Sequence, residues 1–236
     1  MNDASRGSIQ RGERVVVSVG GSLIVPDQID TDFIKQFRQL IFDKLDEGFT
    51  FAITPGGGKT CRRYQAVARE VTDVSKLDLD WIGINTNCMH AEFLRILFGD
   101  VAAPAIVKDF SQPIPTDFQV ILVGADAPGH SSDFDTVLMA RLTGAKRLVN
   151  LSNIDYAYTA DPKMDPDAEK IEKISWADFR KLIPEEWDPG LSAPFDPIAA
   201  REAEHLGLEV AIMNGAHLDR FAAYLEGKPF VGTVVS

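Results

Sequence analysis

Cysteine, positive charge and long apolar runs are all in short supply in this chain. Only Cys61 and Cys88 occur among 236 residues, and neither belongs to a CxxC or Cys/His ligand spacing. A disulfide framework and a cysteine-built structural zinc site are therefore not expected, and a reducing setting is expected. Lysine and arginine number 24 against 35 aspartates and glutamates, a formal net charge of −11. A broad nucleic-acid surface needs clustered cations to displace counterions, so no nucleic-acid partner is expected. A small anionic ligand stays open, because backbone amides can bind anions on an acidic protein. No apolar run approaches the roughly 20 residues that span a bilayer. Met1–Glu13 is polar and lacks the apolar stretch of a signal peptide. The expectation is a cytoplasmic protein with no membrane partner, consisting of a flexible polar tail over 1–13 and one domain over 14–236.

What is present is a repeated alternation. Val15–Val19 is a short β-branched run that stops at Gly20-Gly21, the pattern of a buried strand entering a tight turn. From Thr31, apolar residues at Phe33, Ile34, Phe37, Leu40, Ile41 and Leu45 follow helical spacing, with Asp30 or Thr31 as the N-cap and Gly48 as the stop. Phe49–Ile53 is the next strand, leading into Pro55-Gly56-Gly57-Gly58 and a helix through Ala68. Gln119–Val123, Arg147–Leu151 and Leu208–Met213 read as further strands. Phe134–Leu142 and a segment opening at Asp196-Pro197 read as helices. Continuous apolar strands separated by helices indicate a parallel sheet covered on both faces. Ile183–Pro197, rich in proline, tryptophan and acidic residues, reads as a loop or lid.

In such sheets ligands bind beyond the carboxyl ends of the strands, which is where the glycine clusters fall. Gly20-Gly21-Ser22 and Gly56-Gly57-Gly58-Lys59-Thr60 can bring backbone N–H groups close to an anion, or can simply be tight turns. The second is not a Walker A loop, since that motif requires glycine where Ile53 stands. A third loop, Gly124-Ala125-Asp126-Ala127-Pro128-Gly129-His130-Ser131-Ser132-Asp133, places two hydroxyls beside a helix start. They could donate to phosphate oxygens, while Ser132 or Asp133 could equally cap the helix. His130 reads as a positioning or exposed residue before a general base. A fourth segment, Asn150–Lys163, offers turn residues and Tyr158, whose ring could stack on a base.

Taken in order, these segments resemble the amino acid kinase family, and within it the archaeal-type uridylate kinases. VSVGGSLIVPD resembles the family's first strand and phosphate loop, and PGGGKTCRRY its GGGxxxRxY segment. PGHSSD is similar to PGHTTD, and SNIDYAYTADPKMDPDAEKI to TNVDGVYTADPKKDPDA. FDPIAAREAEHLGLEVAIMNG and VGTVV fit the C-terminal pattern, so the likeness runs from about Val15 to Val235.

The resemblance implies an α/β protein, a three-layer α/β/α sandwich around a mainly parallel sheet. It implies transfer of the γ-phosphoryl group of ATP, with Mg²⁺, to UMP by a homo-oligomer, usually a hexamer. The acceptor would lie in the part to about residue 145 and ATP in the part from about 146. Gly21, Ser22, Gly58 and Arg62 would meet the donor phosphates, and Ser152, Asn153, Tyr158 and Asp161 the donor nucleoside. Gly57, Asp80 and the loop of Asp126, Ala127, Pro128, Gly129, His130, Ser131 and Ser132 would bind the acceptor. Arg62, Asp133 and Asp196 are the catalytic candidates, the two carboxylates for positioning a metal or lysine; no dedicated set of metal ligands is assigned.

The chain departs from the family at four places. Ser18 stands where many members carry a first-strand lysine, and Lys59 or Arg201 is a candidate replacement. Asp126 replaces a threonine, His90 an asparagine, and Tyr156 a glycine, the last expected to pack against the segment holding Trp187. Two other readings stay open: a sister kinase with a different acceptor, such as isopentenyl phosphate, carbamate or an amino-acid carboxylate, and a non-catalytic nucleotide-binding or storage protein on the same scaffold.

Overall fold

The computed structural model describes residues 12–188 and 193–236. Residues 1–11, most of the expected tail, and 189–192, inside the expected lid, lie outside the described residues.

The chain opens with β1 (Arg14–Val19), a single helical turn α1 (Gly21–Ile24) and α2 (Thr31–Asp46). Asp30 caps α2, its carboxylate accepting from Phe33 N at 2.9 Å, an arrangement that contributes about 1 kcal/mol. β2 (Thr50–Pro55) leads into α3 (Gly58–Val71), then α4 (Lys76–Phe98), a 3₁₀ turn (Gly99–Val101) and β3 (Val120–Leu122). Next come α5 (Ser132–Thr143), closed by Gly144 at φ 71°, and β4 (Arg147–Ser152). β5 (Ala157–Tyr158) and β6 (Lys170–Ile171) form a small hairpin, followed by β7 (Lys173–Ile174), α6 (Trp176–Phe179) and α7 (Pro197–His205). β8 (Glu209–Asn214), α8 (Leu218–Leu225) and β9 (Thr233–Val235) complete the order.

Among the described residues the main sheet runs β3-β2-β1-β4-β8-β9-β7. It is parallel from β3 to β8, β9 pairs antiparallel with β8, and β7 lies parallel to β9. Alternation along the strands sends side chains to two separate cores. Val15, Val17 and Val19 join Phe37, Phe51, Phe98 and Phe221 under α2, α4 and α8. Val16 and Leu148 face the other way, toward Met139, Ala199, Trp176 and Phe195 on and around α5, α6 and α7. This is the expected three-layer sandwich. Burying each of the large side chains contributes on the order of 2–3 kcal/mol.

The 23-residue α4 has no counterpart in the strands and helices read from the sequence. It turns polar Thr86, Asn87 and His90 inward while Trp81, Met89 and Ile96 remain exposed. That inversion destroys the apolar stripe by which an amphipathic helix is recognised. The helix nonetheless caps properly, with Ser75 Oγ accepting from Asp78 N and Gly99 at φ 60°.

Candidate active site

Three loops meet over the carboxyl ends of β1, β2 and β3. The Gly56 amide donates to Val19 O at 2.8 Å, and Gly20 N donates to Leu151 O at 2.8 Å. The first two loops touch through their glycines. A Cβ on Gly21 would lie 2.5 Å from Gly58 N and closer still to Gly56 O. A Cβ on Gly56 would lie 3.2 Å from Gly21 N and 3.4 Å from Ser132 Oγ, which brings in the third loop. Gly58 adds a φ of +56°. These glycines are required by close approach of backbone to backbone.

The loops floor a cleft of about 520 Å³. Gly21, Ser22, Gly57, Gly58, Arg62, Asp80, His130, Ser131, Ser132, Asp133, Ser152 and Asn153 all line it, so most of the residues chosen from the sequence converge. A larger hollow, about 770 Å³ between the ends of α3 and α4, holds none of them. Tyr158 and Asp161 stay off the cleft wall. Tyr158 is half-buried in the β5–β6 hairpin, and Asp161 is exposed and accepts from Lys163 N at 2.9 Å. Asp126, Ala127, Pro128 and Gly129 form the outer part of the third loop rather than its wall.

Arg62 reaches Ser22 Oγ at 3.0 Å. Among the described residues it is the one lysine or arginine on the cleft wall. Lys59 instead pairs with Asp27 at 3.2 Å, and Arg201 donates to Glu185 O at 3.1 Å beside a separate hollow. Neither lines the cleft. The uncapped start of α3, at Gly57, leaves its amides free to face an anion.

Asp133 lies at the head of α5. Ser18 and Asn150 are register partners on β1 and β4 and sit on the sheet face that α5 covers. Both therefore reach one carboxylate oxygen: Ser18 Oγ donates to Asp133 Oδ1 at 2.9 Å and Asn150 Nδ2 at 3.4 Å. Asp196 N donates to Oδ2 at 3.3 Å. Part of Asp133 opens on the cleft, but its carboxyl is enclosed by protein. That burial, reinforced by the charge of Asp196, pushes its pKa up to about 7. Asp196 serves differently. It caps α7 through Ala199 N at 2.8 Å and accepts from Ser131 N at 3.0 Å, which fixes the third loop from behind. Ser131, not Ser132 or Asp133, caps α5, accepting from Asp133 N at 3.2 Å. Ser132 Oγ is thereby left for the cleft.

Sequence reading missed the contributions of Asn87, Trp187 and the hydroxyl of Ser18, and it read Asn150 as part of a nucleoside pocket where the structure sets it on Asp133. Ser18 and Asn150 had a signal, since each is the lone polar residue in an apolar strand run. Asn87 Oδ1 and Trp187 Nε1 are buried, lie on residues that line the cleft and have no partner. They provide one unused acceptor and one unused donor. The Lys170 ammonium lies 5.0 Å over the Tyr156 ring.

Asp80 binds the third loop directly, accepting from Gly129 N at 2.9 Å. His90, where the family carries asparagine, holds the second loop. Its Nδ1 lies 2.9 Å from Gly56 O, so the neutral ring donates there. Burial lowers the His90 pKa from 6.5, with the Gly56 bond opposing that shift. The unfolded chain therefore binds the extra proton first, and stability falls as pH drops below about 6.5. His90→Asn is expected to lose less melting temperature between pH 7.5 and 5.5 than the parent. Equal losses in a pair of thermal melts would show that His90 does not titrate in that window.

A sequence profile of the amino acid kinase family matches residues 13–214. The chain belongs to the amino acid kinase family. Among similar amino acid kinases, the uridylate kinase of Pyrococcus abyssi is 31% identical over 218 residues, covering 91% of this chain and 96% of the relative. The uridylate kinase of Thermococcus kodakarensis is also 31% identical, over 94% of this chain and 99% of its own. The crystal structure of the uridylate kinase from Archaeoglobus fulgidus superposes with a TM-score of 0.76 at 26% identity, over 95% of this chain and 100% of that one. The layer order described above is thus that of the amino acid kinase fold.

Proposed function

We propose that this chain is an ATP-dependent UMP kinase, transferring the γ-phosphoryl group of ATP to UMP and giving UDP and ADP. The observation that carries the reading is the convergence of three glycine-bearing loops and Arg62 on one polar cleft at the carboxyl ends of parallel strands. Phosphoryl transfer asks little covalent chemistry of a protein, and positioning with charge neutralisation supplies most of the rate. Gly21, Ser22, Gly58 and Arg62 take the donor phosphates. Ser152 and Asn153, at the end of β4, take the donor nucleoside on the side carried by residues from about 146, with Tyr158 and Asp161 farther out. Gly57, Asp80 and the Asp126–Ser132 loop take UMP on the side carried by residues to about 145.

Two of the wall's features suit a nucleotide over an isoprenoid phosphate. The cleft wall carries polar groups from Asp80, His130, Ser131 and Ser132, and the unused groups on Asn87 and Trp187 offer an acceptor and a donor to a base edge. Asp133 keeps one oxygen with a single long hydrogen bond, which suits a cation brought in with the triphosphate. Mg²⁺ so held would neutralise charge on the phosphates. Before it arrives, burial and then the charge of Asp196 raise the pKa of this carboxyl and favour its protonated form, which limits the negative charge beside Ser18.

The same reading places the protein in the cytoplasm as a homo-oligomer, a hexamer by resemblance. Exposed Tyr64, Val67 and Val71 on α3 and Trp81, Met89 and Ile96 on α4 form rows that a partner copy would cover. Light scattering on the parent and on Val67→Asp with Ile96→Asp tests this, a shift to monomer being expected.

A coupled assay of ADP release, with Mg·ATP and UMP, CMP, AMP, GMP or isopentenyl phosphate, tests the activity. Selective turnover of UMP is the expected result. Turnover of another acceptor would move the chain to a sister kinase, and ATP binding without any turnover would leave a binding or storage role.

A further inference from the structure

Asp135 is the feature of the third loop's surroundings that the kinase reading does not use. Its side chain is fully buried, and neither carboxylate oxygen has a hydrogen-bond partner. A buried carboxylate is stable only when paired or ligated. Burial first, and then the charges of Asp126, Asp196 and Asp133, push its pKa upward. The group that faces it is His130, whose Nδ1 lies 3.9 Å from Asp135 Oδ1. The opposite ring nitrogen, Nε2, lies 3.9 Å from Asp126 Oδ1. One ligand atom from each of the three side chains falls within 4.8 Å of the others.

We propose that Asp126, His130 and Asp135 bind a divalent transition-metal ion at a site distinct from the Mg²⁺ that accompanies ATP. Two carboxylates and one imidazole make a mixed oxygen and nitrogen donor set, suited to Zn²⁺, Co²⁺ or Mn²⁺ more than to all-oxygen Ca²⁺ or thiolate-seeking Cu⁺. Two negative ligands balance the ion's charge and satisfy the orphaned oxygens of Asp135. Donors on one ion, with bonds of about 2.0–2.2 Å, stand roughly 3–4 Å apart. The present spacing reaches that by rotation of the His130 ring and a small approach of Asp126, which is partly exposed. One ring nitrogen takes the ion and the other remains for an outer hydrogen bond. The ion would tie the outer turn of the third loop to α5 and so set the position of Ser131 and Ser132. The inference does not depend on the kinase reading, because the residues and the ion are defined without nucleotide.

The experiment uses the full chain, stripped with chelator and free of nucleotide and Mg²⁺. It is dialysed against Zn²⁺ for metal analysis and titrated with Co²⁺ while its visible spectrum is followed. One equivalent of metal per chain is expected, with affinity at least about tenfold weaker in Asp135→Asn and in Asp126→Asn. Asp135→Asn removes a buried charge and should fold at least as well as the parent, but its melting temperature should no longer rise with Zn²⁺. His130→Gln, altered in an outer loop, gives an independent loss of affinity. Absence of stoichiometric binding, or equal affinity in the parent and all three variants, overturns the proposal. Loss of kinase activity alone has no bearing on it.

Discussion

Replacing Gly21 with alanine is expected to lower turnover by more than about a hundredfold. The new Cβ would sit 2.5 Å from Gly58 N and against the Gly56 carbonyl, distances that real Cβ atoms do not adopt. Both neighbours are backbone, so no side chain can swing aside. The first two loops must separate by roughly 1 Å, a displacement of the size that costs two orders of magnitude in a positioning-dependent reaction. Gly83→Ala on α4 is the contrast. Its Cβ would meet only Cys61 Sγ at 3.7 Å, an ordinary contact, and helical alanine is worth about 0.5–1 kcal/mol over glycine. Steady-state kinetics and thermal melts on both variants check the argument. Near-parental turnover in Gly21→Ala would mean that the loops do not act as one unit.

Arg62→Ala is expected to reduce kcat by about 10²–10³, the usual cost of removing one well-aimed donor to a developing charge. The loss is large because the cleft has no other lysine or arginine among the described residues. Lys59 is tied to Asp27, and the first strand offers Ser18 in place of a cation. Arg62→Lys should recover only a small part, since an ammonium cannot bridge two phosphate oxygens in the plane that a guanidinium fits. Initial rates against ATP and UMP separate binding from chemistry. A kcat within fivefold of the parent for Arg62→Ala would remove Arg62 from the catalytic machinery and return the search to backbone amides.

The parts of this protein that the sequence disclosed were those governed by local rules. Short apolar runs gave the parallel strands within one or two residues, and Asp30, Gly144 and Asp196-Pro197 marked real helix boundaries. What stayed hidden depends on tertiary placement. α4 escaped because Asn87 and His90 face inward to serve the loops while Met89 and Ile96 face out. The meeting of Ser18 and Asn150 at Asp133 joins residues more than a hundred positions apart through strand register, which no local pattern encodes. Asp135 read as one more residue of a helix start. Its lack of any hydrogen-bond partner emerges only when α5 is packed on the sheet.

The pairing of β1 with β4 has a mechanical consequence. Val16 to Val19 lie in register with Leu148 to Leu151, so the halves proposed to hold acceptor and donor share the middle of one parallel sheet. A molecule divided by a linker can close on its ligands by hinging, whereas adjacent hydrogen-bonded strands cannot open without breaking their ladder. The distance between the two ends of the cleft is therefore a fixed property of the fold. Entry and exit of nucleotides fall to the loops above the strands, and the tempo of the cycle is set by those short segments over an immobile floor.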